Sequence, residues 1–327
     1  MGTASTGSTP TGTASTGAVS GAGREPYPVA LIITGSGPLD RDANHPRMPL
    51  GISRDLAHAL ARAGVASFRY DKRGAGESQG SFLAAGLNDN IDDARAALAW
   101  LRTRPEIDPA AVFVIGHSEG AVIATALGAE PAGPAADLAG IVLLSPMAKT
   151  GEETLAWQTR QIAGDLPAPV RVILRLLRTD IAAKQAEAVA RLKATTTDVA
   201  RIQGRRTNAR WHREFIAFDP EPALRALRAP VLAVTGAGDV QVDPADLDAI
   251  AATAGRDGGT AEGDAAKGYD TVTGDVTTVR VPELSHLLRR DPDGGGLRTY
   301  KQQIRRPVDP GLLSLVTDWI TDRLPRA

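Results

Sequence analysis

A serine lies in the pattern G-x-S-x-G at residues 116–120, between a short apolar run and a stretch with helical periodicity. A serine on a sharp strand-to-helix turn adopts a strained backbone, and its neighbours must be nearly free of side chains for the chain to turn. Gly116 and Gly120 meet that requirement. The pattern therefore predicts that Ser118 is a nucleophile. It also predicts that the backbone N–H of Glu119 points to where an oxyanion would form.

A nucleophilic serine needs a general base, and the base needs a carboxylate that orients it. With a serine of this kind, the carboxylate and then the histidine follow along the chain, each after a strand. His286 is the last histidine in the sequence and follows an apolar run, so we predict that it is the base. Asp239 comes directly after another apolar run and is the predicted acid. Two further aspartates stay open as alternatives for the acid, namely Asp243 and Asp246.

The second donor to an oxyanion is expected in the loop after an early strand. Gly-Ser-Gly at residues 35–37 fits, with the backbone N–H of Ser36 as the donor. A phosphate-binding loop is disfavoured because Asp40 stands where G-x-G-x-x-G needs its last glycine. We interpret the charge-dense segments 40–42 and 71–74 as ion pairs and hydrogen bonds that hold loops beside the site.

Strands and helices alternate along the chain. The strand-like runs are apolar throughout rather than alternating, which indicates strands buried on both faces of a parallel sheet covered by helices. We predict strands at residues 29–34, 65–70, 112–115, 141–144, 231–235 and 277–281. We predict helices at residues 51–63, 120–127, 245–252 and 312–324.

Composition divides the chain into four parts. Residues 1–25 are rich in Gly, Ser and Thr and predict a disordered tail. Residues 26–149 and 216–327 predict the two parts of an α/β core. Residues 150–215 contain helical stretches and no clear strand, which favours an inserted helical lid over a pair of ordinary crossover helices. Within the second part, residues 255–274 are rich in Gly, Asp and Ala and predict a disordered loop.

The 327 residues carry 37 basic and 38 acidic side chains, a balance that points to neither nucleic acid nor an anionic membrane as a partner. The sequence contains no cysteine, which excludes disulfides, thiolate metal sites and a cysteine nucleophile. The chemistry proposed for Ser118 needs no cofactor and no metal. Because the N-terminus has neither a basic segment nor an apolar one, we expect no secretory signal and a soluble, cytoplasmic protein.

Five loop segments together resemble the signature loops of bacterial α/β-hydrolases related to dienelactone hydrolases and to serine-aminopeptidase-like esterases. The segments are GSGPLDRDAN (35–44), YDKRGAGES (70–78), GHSEGA (116–121), GAGDVQV (236–242) and ELSHLL (283–288). The resemblance implies the α/β-hydrolase fold, a mostly parallel sheet flanked by helices, with a helical lid insertion. It also implies a triad of Ser118, Asp239 and His286, with the backbone amides of Ser36 and Glu119 as the oxyanion hole.

The expected reaction is hydrolysis of a small-molecule carboxylic ester, or a related acyl bond, through an acyl-enzyme. Peptidase, thioesterase, acyltransferase and cofactor-free haloperoxidase reactions with the same triad stay open. A catalytically silent binding module on the same fold is the alternative from another class, because a fold alone does not establish activity. Haloalkane dehalogenase and epoxide hydrolase chemistry is disfavoured, since both need a carboxylate where Ser118 stands.

Overall fold

The computed structural model describes residues 25–177, 179–255, 261–264, 269–272, 275–294 and 296–324. The predicted tail, residues 1–25, lies outside this part apart from Glu25. The strands of the described residues are β1 (Tyr27–Ile33), β2 (Ala66–Phe68), β3 (Ile107–His117), β4 (Gly140–Leu144), β5 (Val199–Ile202), β6 (Arg205–Asn208), β7 (Val231–Gly236), β8 (Ala261–Asp264), β9 (Tyr269–Val272) and β10 (Val276–Val281).

Eight of these strands form one sheet in the order β2-β1-β3-β4-β7-β10-β9-β8. The strands from β2 to β10 in that order pair in parallel, and the register places Ile32 opposite Ile115 and Leu144 opposite Val234. Each central strand is buried along its sheet-forming length, as expected for a parallel sheet covered on both faces. The predicted α/β fold with a mostly parallel sheet is therefore confirmed.

Helices cover both faces of the sheet. The described helices are α1 (Ile52–Arg62), α2 (Leu87–Leu101), α3 (Glu119–Gly128), α4 (Gly151–Gly164), α5 (Ala168–Leu176), α6 (Ile181–Lys193), α7 (Ala209–Ala217), α8 (Pro220–Ala226), α9 (Asp246–Ala254), a 3₁₀ turn (Gly296–Thr299), α10 (Tyr300–Gln303) and α11 (Pro310–Thr321). Helices α1 and α11 share one hydrophobic cluster with the sheet, and α2, α3, α8 and α9 share the other. Among the described helices, none is both long and apolar enough to cross a membrane.

The prediction of a disordered loop across residues 255–274 is wrong for residues 261–264 and 269–272. These residues form β8 and β9, which pair with each other in antiparallel fashion, and β9 pairs in the same way with β10. The backbone N–H and C=O groups of β10 on the side away from β7 are partnered in this way. No continuous apolar run marks these strands, because strands at the edge of a sheet need not bury both faces. The rest of the predicted loop lies outside the described residues, apart from Gly255.

Residues 150–215 are mainly helical, as predicted, but the expectation of no strand there is wrong. Between α6 and α7, β5 and β6 form an antiparallel hairpin that is separate from the main sheet. Gln203 and Gly204 at its tip both have positive φ, of 49° and 80°, which fits a two-residue hairpin turn. The hairpin contains mostly polar residues, so hydrophobic periodicity could not reveal it. That this segment acts as a lid stays a prediction.

The contact between α11 and the sheet depends on a residue without a side chain. A Cβ on Gly140 would lie 2.7 Å from the ring of Trp319. We expect Gly140→Ala to destabilise the fold by about 1–3 kcal/mol, because the rigid indole would have to shift within a packed core. Gly164→Ala is the matched control, since a Cβ on this exposed glycine at the end of α4 meets nothing within 4 Å. In urea unfolding, we expect a midpoint below that of the wild type for Gly140→Ala and not for Gly164→Ala. Equal midpoints for the two variants would contradict this packing.

Candidate active site

The turn between β3 and α3 places Ser118 at φ 57° and ψ −118°, a backbone conformation that residues other than glycine rarely adopt. A Cβ on Gly116 would lie 2.1 Å from the carbonyl oxygen of Gly120, and a Cβ on Gly120 would lie 2.2 Å from that of Ile33. Both glycines of G-x-S-x-G are therefore required by close backbone contacts. The turn leaves Ser118 only partly buried, at the carboxyl end of a central strand.

The structure brings Ser118, His286 and Asp239 into one hydrogen-bonded chain. The His286 Nε2 lies 3.1 Å from the Ser118 Oγ, and the His286 Nδ1 lies 2.9 Å from Asp239 Oδ2. Because a carboxylate can only accept, Nδ1 carries the proton and Nε2 is free to accept from the hydroxyl. His286 follows β10 and Asp239 follows β7, so both come from the carboxyl edge of the sheet, as the sequence order predicts.

Asp239 is almost completely buried and accepts backbone hydrogen bonds from Gln241 and Val242, at 2.8 and 3.0 Å. Burial by itself raises the pKa of a carboxyl group. At Asp239 the charge and hydrogen bond of His286, together with the two backbone N–H groups, outweigh burial and hold the pKa below its usual range. The side chain is therefore a carboxylate aimed at His286.

The two alternative acids are engaged elsewhere. Lys149, in the segment after β4, forms ion pairs with both Asp243 and Asp246. Asp246 also accepts from the backbone N–H of Ala148 at 3.0 Å. These contacts tie the segment after β4 to α9 and its N-terminal turn. Of the three aspartates, Asp239 is the one that contacts His286.

A small cavity opens beside Ser118. It has a volume of about 80 Å³, and Ser36 and Glu119 both line it. The remaining lining residues are Val122, Ser145, Met147, Thr154, Leu155, Gln158, Trp211, Phe215, Gln241 and Val242. The loop that carries Ser36 is close to the nucleophile, because a Cβ on Gly35 would lie 3.4 Å from the Cβ of Ser118. The two residues predicted as oxyanion donors therefore flank the same space as the serine.

The sequence predicts for Lys72 only a role in holding a loop beside the site. In the structure, its side chain joins Glu119 to Gly35, the residue before Ser36. Its Nζ donates to Glu119 Oε1 at 2.9 Å and to the carbonyl oxygen of Gly35 at 3.1 Å. Asn90 Nδ2 also donates to Glu119 Oε1, at 2.8 Å. Lys72 and Glu119 are both about 95% buried or more, so this ion pair is excluded from solvent. It joins the loop after β1 to the start of α3.

His117, the residue before the nucleophile, contacts the base. Its Nε2 lies 2.9 Å from the backbone carbonyl oxygen of His286, to which it donates. Burial, assisted by the nearby charge of His286, lowers the pKa of His117 from 6.5 to about 3. His117 is therefore neutral over the whole range in which enzymes ordinarily work, and it holds the backbone of His286 without competing for the proton of Ser118.

Comparison with known proteins identifies the family of this chain. The family model described as Hydrolase_4, serine aminopeptidase S33, matches residues 50–291. The chain belongs to this family. The matched range contains Ser118, Asp239 and His286, whereas Ser36 precedes it. The serine aminopeptidase family assignment and the sheet topology together make this chain an α/β-hydrolase.

One curated relative of this α/β-hydrolase is named as an esterase, and another is an uncharacterized protein. The esterase EstD of Thermotoga maritima is 25% identical over 229 residues, which cover 68% of this chain and 49% of EstD. The protein Rv2307c of Mycobacterium tuberculosis is 35% identical over 118 residues, which cover 36% of this chain and 39% of that protein. This chain therefore matches half or less of the length of either relative.

The solved structure of Est1E from Butyrivibrio proteoclasticus with ferulic acid bound has a TM-score of 0.53 at 17% identity, with 92% of this chain and 89% of Est1E covered. At that identity the likeness shows the fold.

The buried ion pair predicts a large effect on stability. We expect Lys72→Met to destabilise the fold by about 3–5 kcal/mol, because Glu119 would keep a buried charge without a partner. The double variant Lys72→Met/Glu119→Gln removes that charge and should recover much of the loss. Arg225→Met breaks an exposed ion pair with Glu221 and serves as the surface control, with little expected effect. Urea unfolding of the wild type and the three variants decides this, and a double variant no more stable than Lys72→Met would contradict a buried charge pair.

The lowered pKa of His117 predicts how stability depends on pH. Between pH 6.5 and about 3 the unfolded chain binds a proton at this side chain and the folded chain does not. The folded state is therefore fully favoured above pH 6.5 and loses this contribution as the pH falls towards 3. In His117→Gln, the free energy of unfolding should fall less steeply as the pH decreases through that window, by up to about 1.4 kcal/mol per pH unit.

The measurement for His117 is the free energy of urea unfolding at several pH values between about 4 and 7. His58→Gln, on the exposed side of α1, is the matched control and should keep the wild-type slope. If His117→Gln also keeps the wild-type slope, then His117 is not buried in its neutral form.

Proposed function

We propose that this chain is a serine hydrolase that cleaves carboxylic esters through a covalent acyl-enzyme. The observation that carries the proposal is the unbroken hydrogen-bonded chain from Ser118 through His286 to Asp239, next to a cavity at the carboxyl edge of the sheet. The name of the relative EstD, an esterase, supports an ester as the substrate. Membership of the serine aminopeptidase S33 family supports a serine nucleophile.

In the proposed first half-reaction, Ser118 Oγ attacks the ester carbonyl carbon while His286 Nε2 takes the hydroxyl proton. Asp239 holds the ring in the tautomer that leaves Nε2 free and stabilises the imidazolium that forms. The tetrahedral oxyanion accepts hydrogen bonds from the backbone N–H groups of Ser36 and Glu119. Glu119 is the first residue of α3, so its N–H has no partner within the helix.

The intermediate collapses when the bond to the alkoxy oxygen breaks and His286 returns its proton to the leaving alcohol. Water then enters, gives a proton to His286 Nε2 and attacks the acyl carbon. The second tetrahedral intermediate releases the carboxylic acid and Ser118 recovers its proton. His117 remains neutral throughout, so its hydrogen bond to the backbone of His286 persists while the base gains and loses charge.

The size of the cavity favours short acyl groups. The cavity beside Ser118 has a volume of about 80 Å³, well below the ~300–1,000 Å³ of an ordinary small-molecule pocket. Leu155 of α4 and Phe215 of α7 line the cavity, so an acyl chain that overfills it would have to displace such side chains.

The test is the hydrolysis of p-nitrophenyl esters from acetate to decanoate by the wild type, Ser118→Ala and Ser314→Ala. We expect kcat/KM to be highest between acetate and butyrate and to decline with longer acyl chains. Ser118→Ala should lose about 10⁴-fold or more in kcat, because the nucleophile is absent. Ser314→Ala makes the same chemical change on the exposed face of α11 and should match the wild type.

Labelling with a fluorophosphonate separates the two parts of the proposal. We expect the wild type to be labelled at Ser118 and Ser118→Ala to be unlabelled. If the wild type is labelled but no ester in the series is turned over, then the ester substrate is wrong and the nucleophile stands. If there is neither labelling nor turnover, the proposed catalytic role of Ser118 is wrong.

A further inference from the structure

Ser145 is a buried hydroxyl residue with no hydrogen-bond partner for its side chain. It directly follows β4, is 1% exposed and has a φ of 51°. Its backbone N–H donates to the carbonyl oxygen of Val234, but its Oγ meets no partner among the described residues. Ser145 lines the cavity beside Ser118. An unpartnered polar group on a strained backbone is a feature that functional sites retain and cores avoid.

A second unpartnered oxygen belongs to Glu119, another of the residues that line the cavity. Glu119 Oε1 accepts from Lys72 and Asn90, but Glu119 Oε2 is buried and has no partner within the described part of the chain. A third group is weakly partnered, because the hydroxyl of Thr154 reaches only the sulfur of Met147, at 3.5 Å. Leaving a buried polar atom unsatisfied destabilises the fold, so these groups together favour a polar ligand.

The three groups define what the ligand must offer. A carboxylate oxygen can only accept a hydrogen bond, whereas a serine hydroxyl can both donate and accept. A ligand group that donates to Glu119 Oε2 or exchanges hydrogen bonds with Ser145 Oγ must therefore carry an O–H or an N–H. A purely hydrocarbon acyl group would leave both oxygens unsatisfied and bury them more deeply.

The charges at the site favour a neutral donor over an ammonium group. Lys72 already compensates the charge of Glu119 through a buried ion pair. An ammonium group in the cavity would add a buried cation without its own counter-ion, which is costly. The apolar side chains of Val122, Met147 and Phe215 around it would do nothing to solvate that charge. A hydroxyl group meets the hydrogen-bonding demand without adding charge.

The position of the cavity relative to the proposed machinery assigns it to the acyl side of the ester. His286 has to protonate the leaving alcohol, yet His286 is not among the residues that line the cavity. Ser118, Ser36 and Glu119, which surround the acyl carbon and its oxyanion in the proposed mechanism, all line it. The group that occupies the cavity is therefore attached to the acyl carbon.

We propose that the cavity is a binding site for a short acyl group that carries a hydroxyl, so that the preferred substrates are esters of small hydroxy acids. Ser145 is the specificity-determining residue, with Glu119 Oε2 as a second acceptor. The inference rests on the proposed ester hydrolysis at Ser118 and names the substrate class of that same site.

The test uses two pairs of ethyl esters that have nearly the same shape. In each pair a hydroxyl replaces a methyl group: 2-hydroxypropanoate against 2-methylpropanoate, and 3-hydroxybutanoate against 3-methylbutanoate, with each hydroxy ester as separate enantiomers. Every ratio of kcat/KM is divided by the ratio of the hydroxide-catalysed rates, which removes the electronic effect of the hydroxyl. We expect at least one pair to favour the hydroxy ester by about tenfold or more, as one buried hydrogen bond provides.

Two variants locate the origin of that preference. Ser145→Ala should reduce the corrected ratio at least about fivefold, because the donor and acceptor in the cavity is lost. Thr235→Val is the matched control. Thr235 is also a buried hydroxyl residue whose Oγ1 has no partner among the described residues, but it does not line the cavity. This variant should keep the wild-type ratio.

Each outcome separates the inference from the proposed function. If the methyl-branched esters are hydrolysed as well as the hydroxy esters, the inference is overturned and the esterase function stands. If Ser145→Ala keeps the ratio, the assignment of Ser145 is overturned. If Ser118 is labelled by a fluorophosphonate but neither hydroxy ester is hydrolysed, the substrate class is overturned alone. The absence of both labelling and turnover overturns the proposed function together with the inference.

Discussion

The close approach of three backbone segments around Ser118 is the constraint on which the rest of the site depends. Strand β3, the first turn of α3 and the end of β1 meet so tightly that the positions of Gly116 and Gly120 have no room for a Cβ. Holding a serine at positive φ costs about 1–3 kcal/mol. The sheet can sustain this because β3 is central and its residues pack into hydrophobic clusters on both faces, with Val114 on one side and Ile115 on the other.

Buried charges then hold the loops around that turn. Lys72 links the loop after β1 to α3, and Asp71 accepts from the guanidinium and the backbone N–H of Arg41. On the other side of the site, Arg289 is buried and donates to the backbone carbonyl groups of Leu50, Leu287 and Arg306. Burial lowers the pKa of Arg289, which the charge of Asp55 only partly offsets. Arg289 therefore ties the loop that carries His286 to the core through three carbonyl groups. A side chain that must stay aligned with its hydrogen-bond partners requires such a rigid loop.

The sheet and the hydrogen-bonded chain could be predicted because both follow from rules that act along the sequence. Strands buried on both faces leave uninterrupted apolar runs, and the carboxyl ends of parallel strands lie on one edge of the sheet, so Ser118, Asp239 and His286 had to converge. The hairpins β5–β6 and β8–β9 escaped prediction because their strands contain no continuous apolar run and the pairing itself defines them. The pair of Lys72 with Glu119 escaped for another reason. It joins positions 47 residues apart, and nothing local marks which of several charged residues turns inward.

The chemistry and the substrate preference depend on different parts of the chain. The serine turn, the base and the acid lie on loops of the sheet, where a change in backbone position would disturb all three together. Part of the cavity wall comes from α4 and α7, whose residues Leu155, Trp211 and Phe215 line the cavity but take no part in the hydrogen-bonded chain. Side chains there can change size or polarity while the turn at Ser118 keeps its geometry. Ser145 is the exception, because it directly follows β4, its backbone N–H donates to Val234 of β7, and it also lines the cavity. Its backbone is therefore held by the sheet, so the proposed selection by a hydrogen bond at Ser145 is independent of the proposed selection by size at the helical walls.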